Sequence, residues 1–162
     1  MERLEKWMGR RGEGYVVAQV FLFALVVFGP RTWPGWAPWA TPWTWLGWAL
    51  GLALGGAGGL LALAGLVNLG RNLTALPHPK DDATLVVAGA YALVRHPIYS
   101  GLILAAFGWG CLVGSWLTLL YAALLLVFFD VKSRREERAL ARKFANYADY
   151  QRRVRKLIPF VY

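Results

Sequence analysis

Charge is the first thing this chain is short of. Asp, Glu, Lys and Arg make up 17% of its 162 residues, where a soluble domain carries about a quarter. Those present are confined to the two ends and one middle loop, a distribution that suits a chain solvated partly by hydrocarbon. Cysteine is nearly absent. Cys111 stands alone in an apolar run, which excludes an internal disulfide or a thiol-built metal site and leaves it as a small buried packing residue. No metal-ligand cluster forms around His78 or His96, so no metal site is read. A glycine-rich strand–helix unit is missing too, which excludes a soluble-type dinucleotide fold. Gly29-Pro30-Arg31 lacks a small-x-small cleavage pattern, so the apolar run Tyr15 to Phe28 is read as a retained span, not a signal peptide.

What is present is apolar surface: 57% of residues, with positive mean hydropathy, in a length that fits one domain. The net charge of +9 would suggest nucleic acid in a soluble protein, but no nucleic-acid-binding motif accompanies it. Lys and Arg instead gather at 3–11, 71–95 and 132–156, flanks that suit anionic head groups and the positive-inside rule.

The spans are expected at about 14–29, 44–67, 97–113 and 116–131. Between the first two, Trp33, Trp36, Trp39, Trp43, Trp45 and Trp48 read as an interfacial belt on the external side, with an aromatic cage for a cation as the rival. Gly47, Gly51, Gly55 and Gly59 recur every fourth residue and make a smooth face, for packing within the chain or for a homo-oligomer. The apolar stretch Leu85 to Val94, broken by Gly89, is too short to span and is expected at the interface or lining a cavity. The uncharged run Ile98 to Phe129 reads as a hairpin divided at Gly114-Ser115, with a single tilted span as the alternative. In the charged tail, Leu140, Phe144, Tyr147 and Gln151 share one helical face. The fold class is therefore all-α: a single-domain integral membrane bundle of about four transmembrane helices with a cytosolic C-terminal amphipathic helix. All but Arg31 of the eighteen Lys and Arg then fall on one side, which places both termini and the 68–95 loop in the cytosol at a plasma or inner membrane.

Two motifs carry chemistry. Arg95-His96-Pro97-Ile98-Tyr99-Ser100-Gly101 stands where a polar loop enters a membrane helix. Pro97 suits the first helical position, the free amides of that turn can hold an anion, and Arg95 adds a planar cation. Glu136-Glu137 stands just past the last span among Arg134, Arg135 and Arg138. It can take an ammonium or ribose hydroxyls, or can pair within its helix, as Glu136 with Lys132. One pocket built from both motifs would offer a cation for a carboxylate, carboxylates for an ammonium and hydroxyls, and aromatic surface for a base. S-adenosylmethionine presents those groups.

Gly89-Ala90-Tyr91, the Arg-His-Pro run, Glu136-Glu137, then Leu140, Phe144, Tyr147, Tyr150, Arg153-Val154 and Pro159 resemble the isoprenylcysteine carboxyl methyltransferase family. Membrane phospholipid N-methyltransferases share its two core motifs. The resemblance covers about residues 68–162, the expected cofactor-binding half. It implies S-adenosyl-L-methionine as cofactor, held by Val87, Gly89, Tyr91, Arg95, His96, Pro97, Tyr99, Gly101, Glu136 and Glu137. It implies methyl transfer to a lipophilic small-molecule or lipid acceptor among membrane lipids, foremost an isoprenylcysteine-like carboxylate held by Arg153. The alternatives are a phospholipid amine or a small thiol, and a non-catalytic scaffold. For an amine, Glu137 or Tyr147 would take the proton. Ala90, Ala92, Ala145 and Arg155 depart from the family pattern, mostly on the acceptor side.

Overall fold

The computed structural model describes residues 12–37, 39–159 and 161–162, so the basic cluster at 3–11 lies outside the described residues. The elements are α1 (Glu13–Phe28), α2 (Trp43–Leu69), a 3-10 turn (Gly70–Asn72), α3 (Ala90–Leu93), α4 (Pro97–Leu112), α5 (Trp116–Lys143) and α6 (Tyr147–Arg153). Among the described residues the fold is all-helical, apart from one bridge between Val94 and Arg155.

The long helices lie side by side in the order α1, α5, α4, α2. Each neighbour runs antiparallel to the next. Gly51 meets Gly108 while Gly58 meets Gly101, Gly110 meets Leu119 while Tyr99 meets Phe129, and Gln19 reaches Lys132 while Gly29 meets Tyr121. The run from Ile98 to Phe129 is thus a hairpin. Gly114 turns it at φ +58°, and Ser115 Oγ caps α5 by accepting from Thr118 N at 3.1 Å.

The glycine face of α2 is not the four-residue stripe. A four-residue step overshoots a 3.6-residue turn by about 40°. Repeated three times, it carries Gly59 about 120° away from Gly47, so a Cβ on Gly59 would meet open space. The face that docks on α4 is Gly47, Gly51, Gly58 and Gly65, whose mixed steps of four and seven keep returning to one side. Two of the four glycines expected to offer a face to another copy, Gly47 and Gly51, are therefore covered by α4.

The core is narrow: Val26, Ile103, Ala106, Ala122, Leu125, Phe129 and Leu157. Outside it, Val17, Phe21 and Phe28 of α1, Leu52, Leu60, Leu63 and Val67 of α2, and Leu120, Leu124 and Val127 of α5 are exposed. Trp43–Asn72 and Trp116–Lys143 are long and apolar enough to cross a membrane, and only 22% of the most apolar window of the first is buried. A helix apolar on its outer faces as well as its inner ones requires an apolar solvent. Helices α1 and α4 have 16 residues each, roughly 24 Å against a hydrocarbon thickness of about 30 Å. Trp33, Trp36, Trp43, Trp45 and Trp48 are exposed near the end where Arg31 accepts from Ser115. Trp39 instead packs on Trp116 with centroids 5.0 Å apart. Cys111 is half-buried rather than fully enclosed.

The tail departs most from expectation. Helix α5 does not stop at residue 131 but runs unbroken to Lys143, because 130–143 holds no Gly or Pro and is rich in helix formers. It ends at Phe144 (φ −118°, ψ 114°), and α6 restarts after Asn146. The amphipathic tail is thus two helices.

If the Gly58 face fixes the α2–α4 distance, Gly58→Ala must force the helices apart, since its Cβ would sit 2.5 Å from Gly101 O. Thermal unfolding in detergent micelles is expected to show a loss of about 1–3 kcal/mol for Gly58→Ala. Gly59→Ala is expected to be neutral or to gain up to about 1 kcal/mol from helix propensity. Equal behaviour of the two variants would refute this packing.

Candidate functional site

At the end of the bundle remote from Arg31, the entrance of α4, the charged extension of α5 and the returning tail converge. Gly89 prepares the entrance. Its φ is +63°, and a Cβ there would lie 2.2 Å from Asn68 Oδ1, which instead accepts from Ala90 N at 2.8 Å. Pro97 takes the first turn of α4 as expected, with His96 as its N-cap.

The tail lies across this turn: Arg155 O accepts from Arg95 N (2.8 Å), Lys156 O from His96 N (3.1 Å) and Leu157 O from Ser100 Oγ (2.6 Å). Tyr150 Oη holds the tail by donating to Tyr91 O at 2.6 Å. Arg95 clamps the same region. Its Nε donates to Glu137 Oε1 at 2.7 Å, and its Nη1 to Gln151 O (3.1 Å) and Val154 O. Its Nη2 makes no such bond among the described residues.

Both glutamates are engaged from α4. Glu137 Oε1 also faces His96 Nε2 at 3.2 Å, and its Oε2 accepts from Gln151 Nε2 at 3.2 Å. Glu137 lies beyond the apolar stretch of α5. Burial alone would raise its carboxyl, but hydrogen bonds and charge from His96 and Arg95 draw it down to about 2. Glu136 Oε2 accepts from Tyr99 Oη at 2.8 Å and stands 3.8 Å from His96 Nδ1. It does not share a hydrogen bond with Lys132, whose ammonium donates to Gln19 Oε1 (2.6 Å) and Ala75 O (3.0 Å).

These groups wall a cavity of about 500 Å³, within the range of small-molecule sites. Tyr91, Arg95, His96, Tyr99, Glu136, Lys132 and Tyr147 form its polar side; Leu69, Leu73, Ile98 and Leu102 form an apolar one. Leu85 and Val86 also line it, so the short stretch before Val94 is a cavity wall. Leu140, Phe144 and Tyr147 face the cavity, and Gln151 braces Glu137, so the expected tail face holds together across the break after Lys143. Tyr147 is 1% exposed, and its hydroxyl has no hydrogen-bond partner among the described residues. A stranded buried hydroxyl costs about 1–3 kcal/mol, so one on a cavity wall points to a ligand group that meets it. Burial first, then the charge of Glu137, push this hydroxyl well above its ordinary titration range. Burial and Glu136 do the same to Tyr91.

Of the residues expected to hold cofactor, Tyr91, Arg95, His96, Tyr99 and Glu136 reach the wall. Glu137 sits behind Arg95 and His96. Pro97 and Gly101 pack on α2, opposite Gly65 and Gly58. Val87 is exposed, and neither it nor Gly89 lines the cavity. Arg153 is exposed on α6, its Nε donating to Asp149 O at 3.4 Å, and is not on the wall. Among the described residues no group of three or more His, Cys, Asp or Glu converges. Lys132, expected only as a helix partner of Glu136, and Gln151, expected only on the tail face, both belong to the site. Lys132 sits in a basic run that hides it, although Gln19, its partner, is the one polar residue between Val16 and Phe28.

Fold and site together define a class: an all-helical protein with apolar outer faces and a polar, aromatic cavity at one end of its bundle. The chain belongs to the phospholipid methyltransferase family, whose profile matches residues 46–147. Its relatives include the cobalt-zinc-cadmium resistance protein CzcN of Cupriavidus metallidurans, 31% identical over 88% of this chain and 61% of that one. The protein-S-isoprenylcysteine O-methyltransferase of Schizosaccharomyces pombe is 33% identical over 64% of this chain and 46% of its own. The chain thus spans about half to three-fifths of the length of these relatives. The fold is that of a eukaryotic intramembrane Ras methyltransferase, isoprenylcysteine carboxyl methyltransferase (TM-score 0.64, 24% identity, 98% of this chain and 56% of that one).

Arg95 offers a direct test of this architecture. Replacing it with Met leaves Glu137 and the tail carbonyls short of their donor, which is expected to cost about 3–5 kcal/mol. Hydrogen exchange should quicken across residues 147–157 in particular, and unchanged protection there would show that the tail is held by other means.

Proposed function

We propose that this chain is an integral membrane methyltransferase that uses S-adenosyl-L-methionine to methylate a lipophilic carboxylate. In this reading α1, α2, α4 and α5 all cross the bilayer, and the cavity faces the cytosol. Arg71, Lys80, Arg95, Lys132 and Arg134 all lie toward the cavity end, and Arg31 toward the other, which supports the orientation.

The donor, when bound, supplies a methyl group on a positively charged sulfur. The protein's task is then to hold two partners in line and keep water out. Glu136 is placed to receive hydroxyls or an ammonium, the Nη2 of Arg95 a carboxylate, and the rings of Tyr91, Tyr147 and Tyr150 a base. Tyr147 supplies an O–H donor at neutral pH, since its hydroxyl titrates far above that range. Glu137 acts from behind this surface by fixing Arg95, and His96, on the wall itself, stands against both glutamates.

The observation that carries the choice of acceptor is that the site's candidate bases are already committed. Glu137 has a carboxyl drawn down to about 2, too weak a base for an ammonium. Tyr147 holds its proton, and both ring nitrogens of His96 face glutamates. A carboxylate acceptor is charged already and requires no base; an amine would.

With labelled donor, a prenylated cysteine carboxylate is expected to be methylated at least about tenfold faster than its unprenylated counterpart, because alkyl burial contributes about 0.8 kcal/mol per methylene. Faster turnover of the soluble acceptor would overturn the reading. The rate should be flat from pH 6 to 9, since the raised Tyr147 hydroxyl stays protonated throughout. A steady rise with pH would favour an amine. Tyr147→Phe is expected to leave stability unchanged or slightly higher, while lowering S-adenosylhomocysteine affinity by calorimetry about 3- to 10-fold. An unaltered affinity would remove Tyr147 from the cofactor site.

A further inference from the structure

Lys132 is the least expected side chain in the molecule. It lies at the start of the charged extension of α5, yet it is 1% exposed. Its ammonium donates to Gln19 Oε1 of α1 at 2.6 Å and to Ala75 O at 3.0 Å, and it stands 5.2 Å over the ring of Tyr99. An ammonium has three donors, so one remains. Among the described residues no carboxylate lies within ion-pair distance of it. Glu136, one turn further along the same face, takes the hydroxyl of Tyr99 instead. Both groups that hydrogen-bond Lys132 are neutral; the carboxylate of Glu136 acts on its charge from one turn away, without a direct ion pair.

Buried cations are nearly always paired, because removing an unpaired charge from water costs several kcal/mol. Lys132 makes no direct ion pair among the described residues, and it stands on the wall of a cavity that Leu69, Leu73 and Leu102 also line. We propose that Lys132 is the anion-receiving residue of the acceptor site, binding the carboxylate of a lipid-tailed substrate whose chain lies along that apolar wall. This deepens the acceptor assignment above and rests on it for the identity of the bound carboxylate. Lys132 then also sets specificity, since a cationic amine at the same place would be repelled. The exposed Arg153 has no part in this placement. Because Lys132 is tied to α1 through Gln19, the acceptor site is completed by the first helix, outside the segment that carries the two motifs.

The test is equilibrium binding in detergent micelles, which requires no turnover. An S-prenylated N-acetylcysteine and its methyl ester, which differ by one negative charge, are titrated into the full chain and into Lys132→Met and Lys132→Arg. Lys132→Met should weaken the free acid about 10- to 100-fold, the size of a lost charge-assisted hydrogen bond, and leave the ester within about twofold. Lys132→Arg should recover most of the loss. In turnover, Lys132→Met should raise KM for the acid far more than it lowers kcat, with S-adenosylhomocysteine affinity unchanged. Equal weakening of acid and ester, or no weakening of either, overturns the proposal. A wild-type chain that binds the acid through Lys132 but transfers no methyl group would instead refute the enzymatic reading and leave the anion site standing.

Discussion

One carboxylate ties this end of the protein together. Glu137 receives Arg95 and His96 from the entrance of α4 and Gln151 from α6, while Arg95 reaches on to the carbonyls of Gln151 and Val154. Three segments far apart in sequence are thereby fixed against one another. A partly buried ion pair of this kind is weak evidence for net stability, because desolvation offsets much of the attraction. Its consequence is geometric. With Glu137 committed to Arg95 and His96, Glu136 is left on the cavity side, where Tyr99 orients it.

That arrangement is transmitted into the apolar core through stacked rings. His96 lies parallel to Tyr99 at 5.4 Å, Tyr99 stacks on Phe129 at 4.4 Å, and Phe129 tilts against Phe23 at 6.2 Å. The contacts run from α4 through α5 to α1, so the polar site and the helix packing share side chains. The glycine face between α2 and α4 sets the other boundary. Gly65 meets Pro97 and Ile98, and Gly58 meets Gly101. In the Arg-His-Pro run, Pro97 and Gly101 therefore serve helix contact, while Arg95, His96 and Tyr99 reach the cavity.

A motif of consecutive residues thus divides into two functions according to helical phase. His96 and Tyr99 turn toward α5; Pro97 and Gly101 turn toward α2. The same phase argument explains why Gly59 drops out of the α2 face and Gly58 enters it. Periodicity places residues on a cylinder, but only a partner helix decides which sector of the cylinder is used.

The sequence by itself determined the helical ladder, the hairpin at Gly114-Ser115, Pro97 at the head of α4 and the pairing of the Arg-His-Pro run with Glu136-Glu137. These rest on local causes: apolar length, glycine and proline backbone preferences, and motif chemistry. Only the tertiary structure decided that the tail covers the α4 entrance, that Glu137 braces while Glu136 faces the cavity, and that Lys132 is buried against Gln19. Each of those depends on which groups meet across separations of 14 to 113 residues. A basic run such as 132–138 looks the same in sequence whether a given lysine faces water or a cavity, because its burial belongs to the neighbours that surround it.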